Sequence, residues 1–79
     1  MGMEKDLIEY MAKSLVSDPS AVSVQEVEGE RGPVIELRVA AGDIGKVIGK
    51  QGRIAKALRT LLSASSSKEG RRYSLEILD

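Results

Sequence analysis

Residues 44 to 58 read Ile44-Gly45-Lys46-Val47-Ile48-Gly49-Lys50-Gln51-Gly52-Arg53-Ile54-Ala55-Lys56-Ala57-Leu58, two apolar helical patterns on either side of a Gly-x-x-Gly turn. Two glycines three apart let a backbone take positive φ and pass close to another molecule. The helix that follows offers unpaired N–H groups to an anion, and a sugar-phosphate backbone is the obvious anion. Lys50 and Gln51 are predicted to point outward from the turn, one as a mobile positive charge and the other as a hydrogen-bond donor. Asp43 is placed to cap a short helix from Ile44 to about Ile48. From Arg53 onward Ile54, Leu58, Leu61 and Leu62 mark the apolar face of a second helix, with Arg53, Lys56 and Arg59 opposite. Ser63 to Ser67 is expected to fray that helix toward Gly70.

The flanks supply the remaining elements. Leu7, Ile8, Met11 and Leu15 repeat at helical spacing between Met3 and Val16, with acids early and Lys13 late, as the helix dipole favours. Ser17-Asp18-Pro19 ends that helix. Val22 and Val24 alternate with polar residues as a first strand, and Val27 breaks the period, which predicts a bulge at Gln25-Glu26. Gly29 to Pro33 reads as a turn. Ile35, Leu37 and Val39 then face one way and Glu36 and Arg38 the other, so the two strands are expected to form an antiparallel hairpin. Tyr73, Leu75 and Ile77 alternate with Ser74 and Glu76 as a last strand. The order is α-β-β-α-α-β, an α+β fold.

Composition limits what such a chain does. Seventy-nine residues make one small module, which buries only about 60% of its unfolded surface on folding. The domain is expected over residues 3–79, with Met1-Gly2 an added remnant ahead of a natural start at Met3. Cysteine and histidine are absent, which removes disulfides, thiolate chemistry, zinc sites of the usual ligands and imidazole acid/base catalysis. The sequence asks for no metal and no cofactor, and no catalytic constellation emerges. Its longest apolar stretches fall far short of the roughly 20 residues that span a bilayer, and Glu4 and Asp6 stand where a signal peptide would be basic. A soluble, cytoplasmic, non-membrane protein is expected.

The formal net charge of zero hides an uneven distribution. Residues 1–40 carry eight acids and four bases, and the remainder carries the reverse. Between Ile44 and Leu62 there are five bases and no acid, which concentrates positive potential on the glycine segment.

The element order together with Val47-Ile48-Gly49-Lys50-Gln51-Gly52-Arg53-Ile54 resembles a KH domain of the bacterial, type II arrangement, in which a Gly-x-x-Gly loop joins the two central helices. The likeness covers essentially the whole chain. Gly42 to Arg53 is similar, more narrowly, to the stand-alone single-KH RNA-binding proteins of bacteria called KhpA. This resemblance implies a three-stranded mixed sheet backed by three helices, with the second and third strands parallel. Periodicity alone does not give that pairing. It also implies a module that holds about four nucleotides of single-stranded RNA between loop and sheet edge.

On that basis Gly49 and Gly52 would lie against phosphates, with Lys50, Gln51 and the Arg53 N–H as contacts. Lys46, Arg53 and Lys56 would widen the electrostatic footprint. Bases would rest on an aliphatic groove of Ile44, Val47 or Ile48, Ile54, Leu37 and Val39. Ile54, Leu58 and the strand aliphatics also read as core, and Ile44 and Ile48 stand between core and groove. Gly45 reads as helix packing against the sheet, Gly42 as a turn residue and Tyr73 as core. With two tyrosines and no Phe or Trp, stacking on aromatic platforms is largely unavailable, which points to weak, sequence-tolerant binding.

Weak modules gain from a second linked site. A homodimer is therefore expected, with Leu61 and Leu62 beside small residues as the interface. The resemblance adds a larger KH-containing partner, KhpB-like, and post-transcriptional regulation linked to cell elongation and division, including RNA-chaperone and cell-shape roles. Three rival readings compete with it. A P-loop nucleotidase fails because Gln51 follows Lys50 and Ile44 stands where the first glycine should be. A helix-turn-helix DNA binder matches in outline, but only Arg53 and Lys56 offer base-reading side chains at the start of the second helix. A protein-interaction module with minor RNA binding is the third.

Overall fold

Helix α1 spans Met3–Leu15 and buries Ile8 fully, as expected from the sequence, together with Ala12, which the apolar pattern did not include, while Leu7, Met11 and Leu15 are half-buried. The computed structural model describes residues 3–66 and 72–78. Strands β1 (Ser23–Gly29) and β2 (Gly32–Arg38) form the hairpin, followed by α2 (Ile44–Ile48), α3 (Arg53–Ser66) and β3 (Ser74–Leu78). Single 3-10 turns precede β1, α2 and α3. The sheet order is β1-β2-β3, with β1 antiparallel and β3 parallel to the central β2. A parallel return needs a long crossover, and α2 with α3 supplies it.

The core joins Ile8 and Ala12 of α1, Ile35 and Leu37 of β2, Val47 of α2, Leu58 and Leu62 of α3, and Leu75 of β3. Each large aliphatic among them contributes about 1.5–3 kcal/mol by leaving water. Every element except the edge strand β1 therefore places a buried residue in one cluster, which fixes α2 and α3 relative to the sheet. One charged residue shares this burial in α1: Glu4 is 3% exposed, and its Oε2 lacks a hydrogen-bond partner.

The expected bulge is absent. Pairing runs without interruption from Ser23 with Arg38 to Gly29 with Gly32. Val27 breaks the period because it sits on the other face, directly opposite Val34, where the two form an apolar cross-strand pair. The turn is also shorter than expected: only Glu30 and Arg31 lie outside the strands, and Pro33 is a buried residue of β2 paired with Glu28. Gly32 takes the bend at φ 120°, with the Arg72 carbonyl 2.9 Å from where its Cβ would stand. Helix α3 continues through Ser66 rather than fraying from Ser63. Ser67 and Gly70 lie outside the described residues, as do Met1 and Gly2. Among the described residues no helix is long and apolar enough to cross a membrane.

Candidate nucleic-acid interface

Helix α2 is held from behind by Asp43. This residue occupies the N-cap position but makes no side-chain cap hydrogen bond. Its carboxylate turns instead toward the segment after α1, where Oδ2 accepts the Asp18 N–H at 3.0 Å and Oδ1 accepts Lys46 Nζ at 3.0 Å. Lys46 Nζ also donates to Ser17 Oγ. The Lys46 hydrogen bond, followed by the Ser17 and Asp18 amides, holds the Asp43 carboxyl below its ordinary value of 3.8, against burial, which pushes it up. Asp43 is thus a clamp between α2 and the α1–β1 connection. The sequence pattern missed this, because a contact across 25 residues leaves no local signal.

The clamp bears on Lys46, which the sequence places in the basic footprint. Its charge is committed to the buried Asp43, although its side chain is 48% exposed. Lys50, Arg53 and Lys56 make no ion pair among the described residues. Around the loop, the basic character therefore rests mainly on these three.

The loop is built by three consecutive constraints. Gly49 ends α2 at φ 79°, ψ 171°, a region that only glycine occupies readily. A Cβ there would stand 2.6 Å from Ile54 Cγ1 and 2.9 Å from the Ile54 nitrogen. Gln51 follows in the left-handed region at φ 58°, ψ 25°, and is the only non-glycine at positive φ among the described residues. Gly52 has φ 74°, with nothing within 4 Å of its Cβ position. Gly49 is therefore required by the protein's own packing, whereas the space beside Gly52 is open to a visitor.

The hydrogen bonds of the turn change which donors are available. Gly49 N–H donates to Gly45 O at 2.8 Å and Gly52 N–H to Gly49 O at 3.1 Å. Arg53 N–H closes onto Lys50 O, so the Arg53 amide does not face an anion as expected from the sequence. Lys50 and Gln51 stand at the head of this turn. Both residues are exposed. The Gln51 side-chain carbonyl accepts Arg53 Nη2 at 3.0 Å, which leaves its NH₂ as the outward donor.

Of the groove candidates, Ile48 is exposed, while Ile44, Ile54 and Val39 are half-buried. Val47 and Leu37 are fully buried and belong to the core alone. Gly45 does not pack on the sheet: it is exposed, and a Cβ would meet nothing within 4 Å. It leaves a patch of bare helix backbone on α2, the element that also carries Ile44 and Ile48. On α3, Leu62 faces inward at 1% exposed and Leu61 outward at 43%. Of the two leucines, only Leu61 is available to a partner.

A family model described as "KhpA/KhpB, KH domain" matches residues 5–77. The chain belongs to this KH-domain family. It is 56% identical over 77 residues to a Treponema pallidum protein named RNA-binding protein KhpA, covering 98% of this chain and 96% of that one. It is 56% identical to the protein of the same name in Aquifex aeolicus, over the full length of both, and 47% identical over 75 residues to that of Chlamydia trachomatis, covering 95% of this chain and 96% of that protein. A crystal structure of Aquifex aeolicus Era superposes with a TM-score of 0.62 at 21% identity, covering 95% of this chain and 29% of that one. That likeness concerns the fold alone. The KH arrangement expected from the glycine turn and the element order is the arrangement found.

Proposed function

We propose that this chain binds single-stranded RNA without catalysing a reaction on it, gripping the sugar-phosphate backbone at Gly49-Lys50-Gln51-Gly52 and resting bases on the aliphatic edge of Ile44, Ile48 and Ile54. The observation that carries this reading is the loop itself. Its bend exposes Lys50 and Gln51 beside the open space at Gly52, in a stretch of five bases and no acid. Relatives that match over nearly the whole chain carry the name RNA-binding protein KhpA, which supports the same reading. Arg53 and Lys56 add phosphate attraction, and Lys46 adds less because Asp43 neutralises it.

Without an aromatic in the loop or on the groove, binding is weak for a single module and tolerant of sequence. A homodimer through the exposed Leu61 offsets that weakness by avidity. The family description joins KhpA with KhpB, which supports a larger KH-containing partner as the alternative to self-pairing. We extend the proposal to one domain over residues 3–79, to the cytoplasm, where its ligand is found, and to post-transcriptional regulation linked to cell elongation and division. The test is a salt series comparing single-stranded RNA with duplex DNA of the same sequence. RNA is expected to bind tighter, with log K falling linearly in log salt. A preference for the duplex would instead support helix-turn-helix recognition.

A further inference from the structure

Beyond the loop, the exposed side of α3 holds an open recess of about 550 Å3 lined by Lys56, Arg59, Thr60, Ser63 and Ala64. Lys56 and Arg59 make no ion pair with a carboxylate among the described residues. Arg59 Nη2 reaches the Leu75 carbonyl at 3.5 Å, a long contact that holds the guanidinium at the edge of β3. Among the described residues it has no other hydrogen bond. Thr60 adds a different chemistry. Its hydroxyl donates to the Lys56 carbonyl at 3.0 Å, so its proton is spent and its remaining lone pairs can only accept. A bare anion has no use for such a group. A ligand carrying both a phosphate and a hydroxyl donor has use for all three residues, and the 2′-OH of ribose is the donor that deoxyribose lacks.

We propose that RNA held at the glycine loop continues along this flank of α3, with a phosphate between Lys56 and Arg59 and a ribose 2′-OH donating to Thr60 Oγ1. The inference rests on the loop reading and extends its footprint. Gly52 and Thr60 are separated by eight residues, about 12 Å of helix, so the contact requires a strand longer than the roughly four nucleotides that the loop holds. Leu61 is not among the residues that line the recess.

The test titrates the full-length ¹⁵N-labelled chain with oligouridylates of four and ten nucleotides and with the matching ten-nucleotide DNA. Amides of residues 59–63 are expected to shift with the RNA ten-mer and not with the four-mer. Arg59→Gln is expected to lower the salt slope for the ten-mer by about 0.7, the value for one phosphate contact, and to leave four-mer affinity unchanged. Thr60→Val, at an exposed position that tolerates the change in shape, is expected to reduce the RNA-over-DNA ratio for the ten-mer by about three- to tenfold. Wild-type affinity and salt slope in both variants, while Lys50→Asp/Gln51→Asp loses both oligomers, would overturn the flank track and leave the loop reading intact. Four-mer binding that survives the loop variant would overturn both.

Discussion

Gly49 and Gly52 serve different ends, although both sit at positive φ. A side chain at Gly49 would enter a glycine-only backbone region and overlap Ile54, so Gly49→Ala is expected to cost about 3 kcal/mol. At Gly52 only the backbone penalty applies, and Gly52→Ala is expected to cost about 1–2 kcal/mol. Chemical denaturation of the two variants checks this order, and equal losses would contradict it. The Gly-x-x-Gly spacing was legible as a loop from residue types alone. The left-handed Gln51 was not, because glutamine has no preference for that conformation. Nor was the split between Val47 and Ile48, since one residue along a five-residue helix changes which side chain meets the core.

Among the elements, α2 departs most from what its sequence suggests. Gly45 gains nothing from close packing, so Gly45→Ala is expected to stabilise the fold by about 0.5–1 kcal/mol. The same variant should bind RNA more weakly, because the new Cβ stands on the bare patch that α2 offers beside Ile48. Calorimetry and RNA titration of one sample check both halves. Asp43 ties this element to the segment after α1. Its folded pKa lies below the ordinary 3.8, so its contribution is present in full above that value and is lost as pH falls through and below it. Asp43→Asn is expected to lower the unfolding midpoint at neutral pH and to flatten its decline below about pH 4. An unchanged acid limb would show that other carboxylates govern it. The order of elements could be read from periodicity, because helical and strand spacings differ. The bulge was a misreading: a valine that changes face and a valine displaced by an inserted residue give the same local pattern. The parallel pairing of β2 and β3 rested on resemblance, since a crossover of two helices places partners too far apart for local spacing to reveal.

For the molecule as a whole, charge and shape act together. The acids concentrate in the first half of the chain and the bases around the glycine loop, so a polyanion is steered to one region despite zero net charge. Core formation leaves Leu61 at 43% exposed and Leu62 buried. Sedimentation at about tens of micromolar, a range chosen for weak interfaces, is expected to show a dimer that Leu61→Asp converts to monomer. A wild-type monomer under those conditions would contradict the proposed interface. For the proposed interface the sequence offers two adjacent leucines, and the rotation of α3 about its axis buries Leu62 and exposes Leu61.

The most direct measurement is the affinity of Lys50→Asp/Gln51→Asp for single-stranded RNA across a salt series, with unfolding followed in parallel. Aspartate tolerates the left-handed conformation at position 51, so the variant is expected to keep its fold while opposing phosphate at the loop. Affinity should fall by about tenfold or more and the salt slope by at least about 0.7. A folded variant that binds RNA with wild-type affinity and slope would show that the Gly49-Lys50-Gln51-Gly52 loop is not where RNA is held.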